Sequence, residues 1–119
     1  MTNIKQNDNF PDDTILANAT LPLRLSCLSE AAKLTAGDRN KTYGPPVENM
    51  QHIADIFNAW TGRNLTARDV AQLHTATKMA RSQTSPMHRD SYVDSMAYRG
   101  IELECAVQEH CQNNKDDSQ

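Results

Sequence analysis

Aromatic side chains are scarce in this sequence: one Trp, three Tyr and two Phe in 119 residues. Such a chain has material for one domain with a small core, and one that a partner subunit would help to complete. A basic excess is also missing. The net charge is −3 and the sequence pI about 5.7, which excludes the overall positive field of nucleic-acid and anionic-membrane binders. No apolar run approaches the roughly 20 residues that span a bilayer. Residues 1–13 are polar and acidic, unlike the basic stub and apolar segment of a signal peptide. The three cysteines, Cys27, Cys105 and Cys111, are odd in number and lack ligand-like spacing. They read as reduced thiols of a cytoplasmic protein.

What is present is helical periodicity, with no internal repeat and no alternating run that would make a strand. Residues 1–22 and 112–119 are polar and read as a flexible arm and a disordered tail. Between them, 23–111 forms the expected all-α domain, a compact four-helix bundle. The first helix is expected over about 26–36, capped by Ser26 or Ser29, with Leu28, Ala31, Ala32 and Thr35 on one stripe and Gly37 as a left-handed stop. The second is expected over 46–61, opened by Pro46 and closed by Gly62, with Ile53, Ile56, Phe57 and Trp60 on its apolar face. Asn49 falls in that face and His52 at its edge. Thr66 and Asp69 form a capping box for the third helix, to about 82, whose apolar face is Val70, Leu73, Ala76, Thr77 and Ala80. His74, Lys78 and Arg81 make a stripe beside it. The fourth helix is expected over 89–111, burying Val93, Met96, Ala97, Gly100, Ile101 and Val107. Asp90, Asp94 and Glu104 lie in the same arc, while Arg99, Glu102 and Glu109 read as solvated.

Short connections favour an up-and-down bundle, which brings alternate helix ends to one pole. Asn49, Lys78, Arg81, Asp90 and Asp94 all sit near that pole, and 37–49 (Gly-Asp-Arg-Asn-Lys-Thr-Tyr-Gly-Pro-Pro-Val-Glu-Asn) closes over it with Arg39, Asn40 and Tyr43. His88 and Arg89 enter from the following connection. Buried charges are normally paired or ligand-bound, and two helix N-termini point free N–H groups toward the same place, which favours an anion. The residues also fit a structural role, with Asp94 paired to Arg81 and Asp90 to Lys78 or Arg89.

The motifs Gly37-Asp38-Arg39-Asn40, Tyr43-Gly44-Pro45-Pro46 with Asn49, Lys78-Met79-Ala80-Arg81 and His88-Arg89-Asp90-Ser91-Tyr92-Val93-Asp94 with Ala97-Tyr98 resemble a family of small phage and prophage proteins of unknown function. That family is in turn similar to the all-α nucleotide pyrophosphohydrolases of the MazG and phosphoribosyl-ATP type. The resemblance implies a homo-oligomer, with Asp94 in the place of one metal-binding carboxylate. The sequence departs where those enzymes carry further glutamates, offering Ser91, Asn49 and His52. Asp90 and Asp94 would then be the catalytic and Mg²⁺-holding carboxylates, and Arg39, Asn40, Tyr43, Asn49, Lys78, Arg81, His88 and Arg89 the ligand-binding set.

Two functions follow as expectations. One is a phosphate or nucleotide site at the pole, in a nucleotide binder or a divergent pyrophosphohydrolase. The other is a phage accessory protein that binds a host protein, for instance to blunt a defence system, without catalysis. Nucleic-acid binding through His74, Lys78, Arg81 and Arg89 fits poorly with the acidity and the few aromatics. A phage-encoded chain of this kind would work in the host cytoplasm.

Overall fold

The computed structural model describes residues 21–37, 41–42 and 44–117, and among them the chain is all-α: α1 (Leu23–Ala36), α2 (Pro46–Thr61), α3 (Ala67–Thr84) and α4 (Arg89–Asp117). None of these helices is long and apolar enough to cross a membrane. Each boundary has a local cause. α1 starts before Ser26 because Pro22 (φ −55°, ψ 152°) fixes the entry, and its carbonyl accepts from Leu25 N at 2.9 Å and Ser26 N at 3.0 Å. The expected serine cap is therefore not used. Gly37, expected to be left-handed, is extended instead (φ −97°, ψ −150°). A Cβ there would lie 3.1 Å from the Lys33 carbonyl oxygen, so close approach rather than φ accounts for the glycine.

α2 has the expected bounds. Gly62 closes it in the left-handed region (φ 74°) and donates its N–H to Asn58 O at 2.8 Å. The Asn58 side chain then pins the connection, donating to Leu65 O at 3.0 Å and accepting from Leu65 N at 2.9 Å. The capping box opens α3 as expected: Thr66 Oγ1 accepts from Asp69 N at 3.1 Å, and Asp69 Oδ2 accepts from Thr66 N at 2.9 Å. α4 runs six residues past its expected end at 111, through part of the stretch that was expected to be a disordered tail.

The core is built from small side chains and divides into two clusters. Cys27 and Ala31 of α1 meet Val93 of α4, with Met96 and Ala97 packed alongside. Met50 and Ala54 of α2, Ala67, Val70 and Ala71 of α3, and Ile101 and Cys105 of α4 form the other. α4 belongs to both, and α1 packs on α4 rather than on its chain neighbour α2.

This packing turns the helices away from their largest apolar residues. Leu28, Ile56, Phe57, Trp60, Leu73 and Val107 are all exposed, Trp60 at 80 %. The sequence reading placed all of these on buried faces. Alanine-lined faces let helices approach closely, and that geometry wins over a face of bulkier residues. On α3 the consequence is a turned basic stripe. The stripe of His74 and Lys78, expected beside the core, faces α4, where His74 stacks on Tyr98 with ring centroids 4.6 Å apart. On α4, Asp90 and Glu104 are exposed rather than within the buried arc.

Candidate ligand-binding site at one pole of the bundle

A cavity of about 120 Å³ opens where the end of α1, the start of α2, the last turns of α3 and the first half of α4 meet. α2 brings Pro46, Asn49 and Met50, preceded by Gly44, whose φ of 81° lets the chain turn into the Pro45-Pro46 pair. No side chain caps this helix start, because the capping position is Pro45. α1 contributes Leu34 and Thr35, and α4 contributes Asp94, Ala97, Tyr98 and Ile101.

Lys78 of α3 reaches across to α4. Its Nζ lies 3.1 Å from Asp94 Oδ2, and the side chains are 23 % and 32 % exposed. The pair is half-buried and net neutral. Asn49 is half-buried in the same wall, and its amide makes no hydrogen bond to a described residue. The Tyr98 hydroxyl is likewise without a partner among the described residues. Both side chains are only partly buried, so their polar atoms remain open to water or a ligand.

Of the residues nominated from sequence, Asn49, Lys78 and Asp94 come together in this cavity. Arg39, Asn40 and Tyr43 lie outside the described residues. Arg81 and Asp90 are exposed and do not line it. The expected pairings are also redrawn. Asp94 takes Lys78 rather than Arg81, and Arg89 takes neither aspartate. Instead Arg89 Nη1 donates to Glu30 Oε1 of α1, and Nη2 to Ser26 Oγ at 3.3 Å. Burial opposes the charge on Arg89, but the Glu30 hydrogen bond and nearby negative groups outweigh it and raise the guanidinium pKa. Arg89 lines a separate apolar groove of about 340 Å³ between α1 and the start of α4. His88 shapes the turn into α4: its N–H donates to Ser85 O at 3.1 Å, and its carbonyl accepts from Ser91 N at 3.2 Å.

The metal-binding expectation meets a poor donor set. Among the described residues, no three His, Cys, Asp or Glu side chains converge. Asp94 is engaged by Lys78, Asp90 is exposed, and Ser91 is buried with its hydroxyl unbonded. These residues do not fit an Mg²⁺ shell.

Sequence reasoning missed Tyr98 as a wall of the cavity and Glu102 as a buried charge. Tyr98 follows Asp94 by four residues, a spacing that marks a shared face. Glu102, expected to be solvated, is only 6 % exposed. It accepts from Gln72 Nε2 at 2.9 Å and Arg99 Nη1 at 2.6 Å, with Arg68 Nε at 3.9 Å.

Comparison with known proteins places the chain in a family. The Gene 55 protein of Mycobacterium phage D29 is 41 % identical over 75 residues, covering 63 % of this chain and 50 % of that protein. The Gene 55 protein of Mycobacterium phage L5 is 33 % identical over 78 residues, covering 65 % and 50 %. The chain spans about half the length of the curated relatives it matches. No solved structure matches, and none of these matches supports the resemblance to MazG-type enzymes. The family described as Domain of unknown function (DUF6378) matches residues 26–106, most of α1 through most of α4 and the whole cavity between them, and the chain belongs to it.

Proposed function

We propose that this phage-type protein binds a small phosphate-bearing ligand of the nucleotide class at the pole of the bundle. The observation that carries the reading is the meeting of Asn49, Lys78 and Asp94 around one cavity, with the Asn49 amide bonded to none of the described residues. The uncapped start of α2 beside it offers the N–H groups of Val47 and Glu48 to an anion. Arg81, one turn beyond Lys78 on α3, supplies an exposed cation near the same end. The reading is one of binding, with no bond-breaking step assigned to Asp94 or Asp90.

Thermal shift with nucleoside triphosphates, cyclic nucleotides and dinucleotides, each with Mg²⁺ and with chelator, tests it. A ligand that binds the folded state raises Tm in proportion to its concentration over Kd. Asn49→Ala should abolish that rise while leaving the unliganded Tm in place. A flat response across the panel overturns the proposal. Product analysis of the same samples asks whether any ligand is hydrolysed.

A second reading, recognition of a host protein, is favoured by a different feature. Ile56 and Trp60 lie one turn apart on α2 and are 53 % and 80 % exposed. Exposed Trp is a common interface anchor. On this reading Trp60→Ala removes binding to an identified partner, and Asn49→Ala does not.

A further inference from the structure

We infer that the apolar groove between α1 and the start of α4 is the seat of the chain's own N-terminal stretch, residues 10–16. The groove measures about 340 Å³, against the roughly 150 Å³ of an apolar cavity that holds benzene. It has room for an aromatic ring and a branched aliphatic chain together. Its walls are apolar and open: Leu23 is 45 % exposed, Met87 45 % and Tyr92 40 %. The Tyr92 hydroxyl donates to Pro86 O at 2.7 Å, so the ring is held in place and its polar end is already used. Covering such a surface with apolar groups is favourable in proportion to the area removed from water.

The course of the chain names the occupant. The described residues begin at Leu21, and Leu23 already stands in the groove wall. The stretch before them carries an aromatic, Phe10, and an aliphatic pair, Ile15-Leu16, on either side of Asp12-Asp13. Leu16 precedes Leu23 by seven residues and Phe10 by thirteen. At about 3.3–3.6 Å per extended residue, both can turn back over the opening turns of α1 with chain to spare. Charge agrees with reach. Arg24 lines the groove, is exposed, and makes no ion pair with a described residue, whereas Arg89 is taken by Glu30. Asp12-Asp13 therefore brings carboxylates to an unmatched cation between the two apolar anchors. A tethered segment is present at an effective concentration of order mM, so in dilute solution it outcompetes the same segment of a second copy. Leu23, Arg24 and residues 10–16 all precede residue 26, where the family match starts, so this seat is separate from the polar cavity that the match covers whole.

Photocrosslinking on the full chain tests this directly. Phe10→p-benzoylphenylalanine places a benzophenone on the segment, a probe that reacts readily with methionine C–H bonds, and Met87 and Met96 both line the groove. Irradiation of a dilute sample should give a crosslink onto Met87 or Met96 at the mass of a single chain. A product of twice that mass would overturn the assignment in favour of a second copy's segment. Crosslinks onto other helices, or none, would overturn the seat itself. Thiol reactivity gives a second measurement without a probe, because Cys27 lies in the groove floor and Cys105 in the other core cluster. The paired variant Phe10→Ser, Leu16→Ser should speed alkylation of Cys27 about tenfold and leave Cys105 unchanged, read peptide by peptide by mass spectrometry. Equal Cys27 rates in wild type and variant would also overturn the proposal.

Discussion

Asp94 and Glu102 stand about two turns apart on α4 and carry the same charge, yet their surroundings give them different roles. Glu102 is enclosed, with hydrogen bonds from Gln72 and Arg99 that use both carboxylate oxygens. It ties α3 to α4 and has nothing left to offer a ligand. Asp94 is one-third exposed and bonded on one oxygen. Glu102→Ala should therefore cost about 1 kcal/mol in urea unfolding, since Gln72, Arg68 and Arg99 are exposed enough to be rehydrated once the carboxylate is gone, while ligand binding is retained. Asp94→Ala should cost about 1 kcal/mol and remove binding. Cys105 gives a pH prediction. Burial first, then Glu104, Glu109 and Glu102, push its thiol up. A folded pKa above the ordinary thiol value of about 8.5 means its contribution to stability is complete below that value and declines as pH rises toward the folded pKa. Chemical denaturation from pH 7 to 10 should show this decline, and Cys105→Ala should flatten it. Exposed Cys111 should be alkylated by iodoacetamide well before buried Cys27 and Cys105.

At the scale of elements, helix ends were more legible than helix faces. Pro46, Gly62 and the Thr66–Asp69 pair act through backbone geometry and local hydrogen bonds, so residues adjacent in sequence suffice to read them. Thr66→Ala should lower stability by about 1 kcal/mol. Gly62→Ala, forced to keep a positive φ, should cost about 1–2 kcal/mol; both are checked by thermal denaturation. The faces depended on which neighbour each helix meets, which no single helix encodes. Leu73 and Ile56 outweigh alanines in any apolar count, but Ala54, Ala67 and Ala71 are what the close crossings require. The same error hid part of the site. With α3 turned toward α4, Lys78 reaches Asp94, and the Arg81 pairing expected from sequence is lost. Asn49 was readable because it interrupts an apolar face next to a Pro-Pro turn.

For the whole molecule, the apolar residues left outside have a solution consequence. Ile56, Trp60, Leu73, Leu103 and Val107 are each more than half exposed. The homo-oligomer expected from sequence would bury some of them. Sedimentation velocity should then show concentration-dependent association, and a paired Ile56→Ser, Trp60→Ser variant should sediment as a monomer at every concentration. A wild-type chain that stays monomeric would reserve this surface for a partner of another kind.

Because α1 is fastened chiefly to α4, and through its own cluster, it is the piece that can peel away while the α2–α3–α4 unit endures. Amide protons of α1 should then exchange with deuterium through a partial opening, faster than those around Ala71 and Ile101. Leu34 and Thr35 form part of the cavity wall, so an occupant would latch that flap shut and slow its exchange along the whole helix.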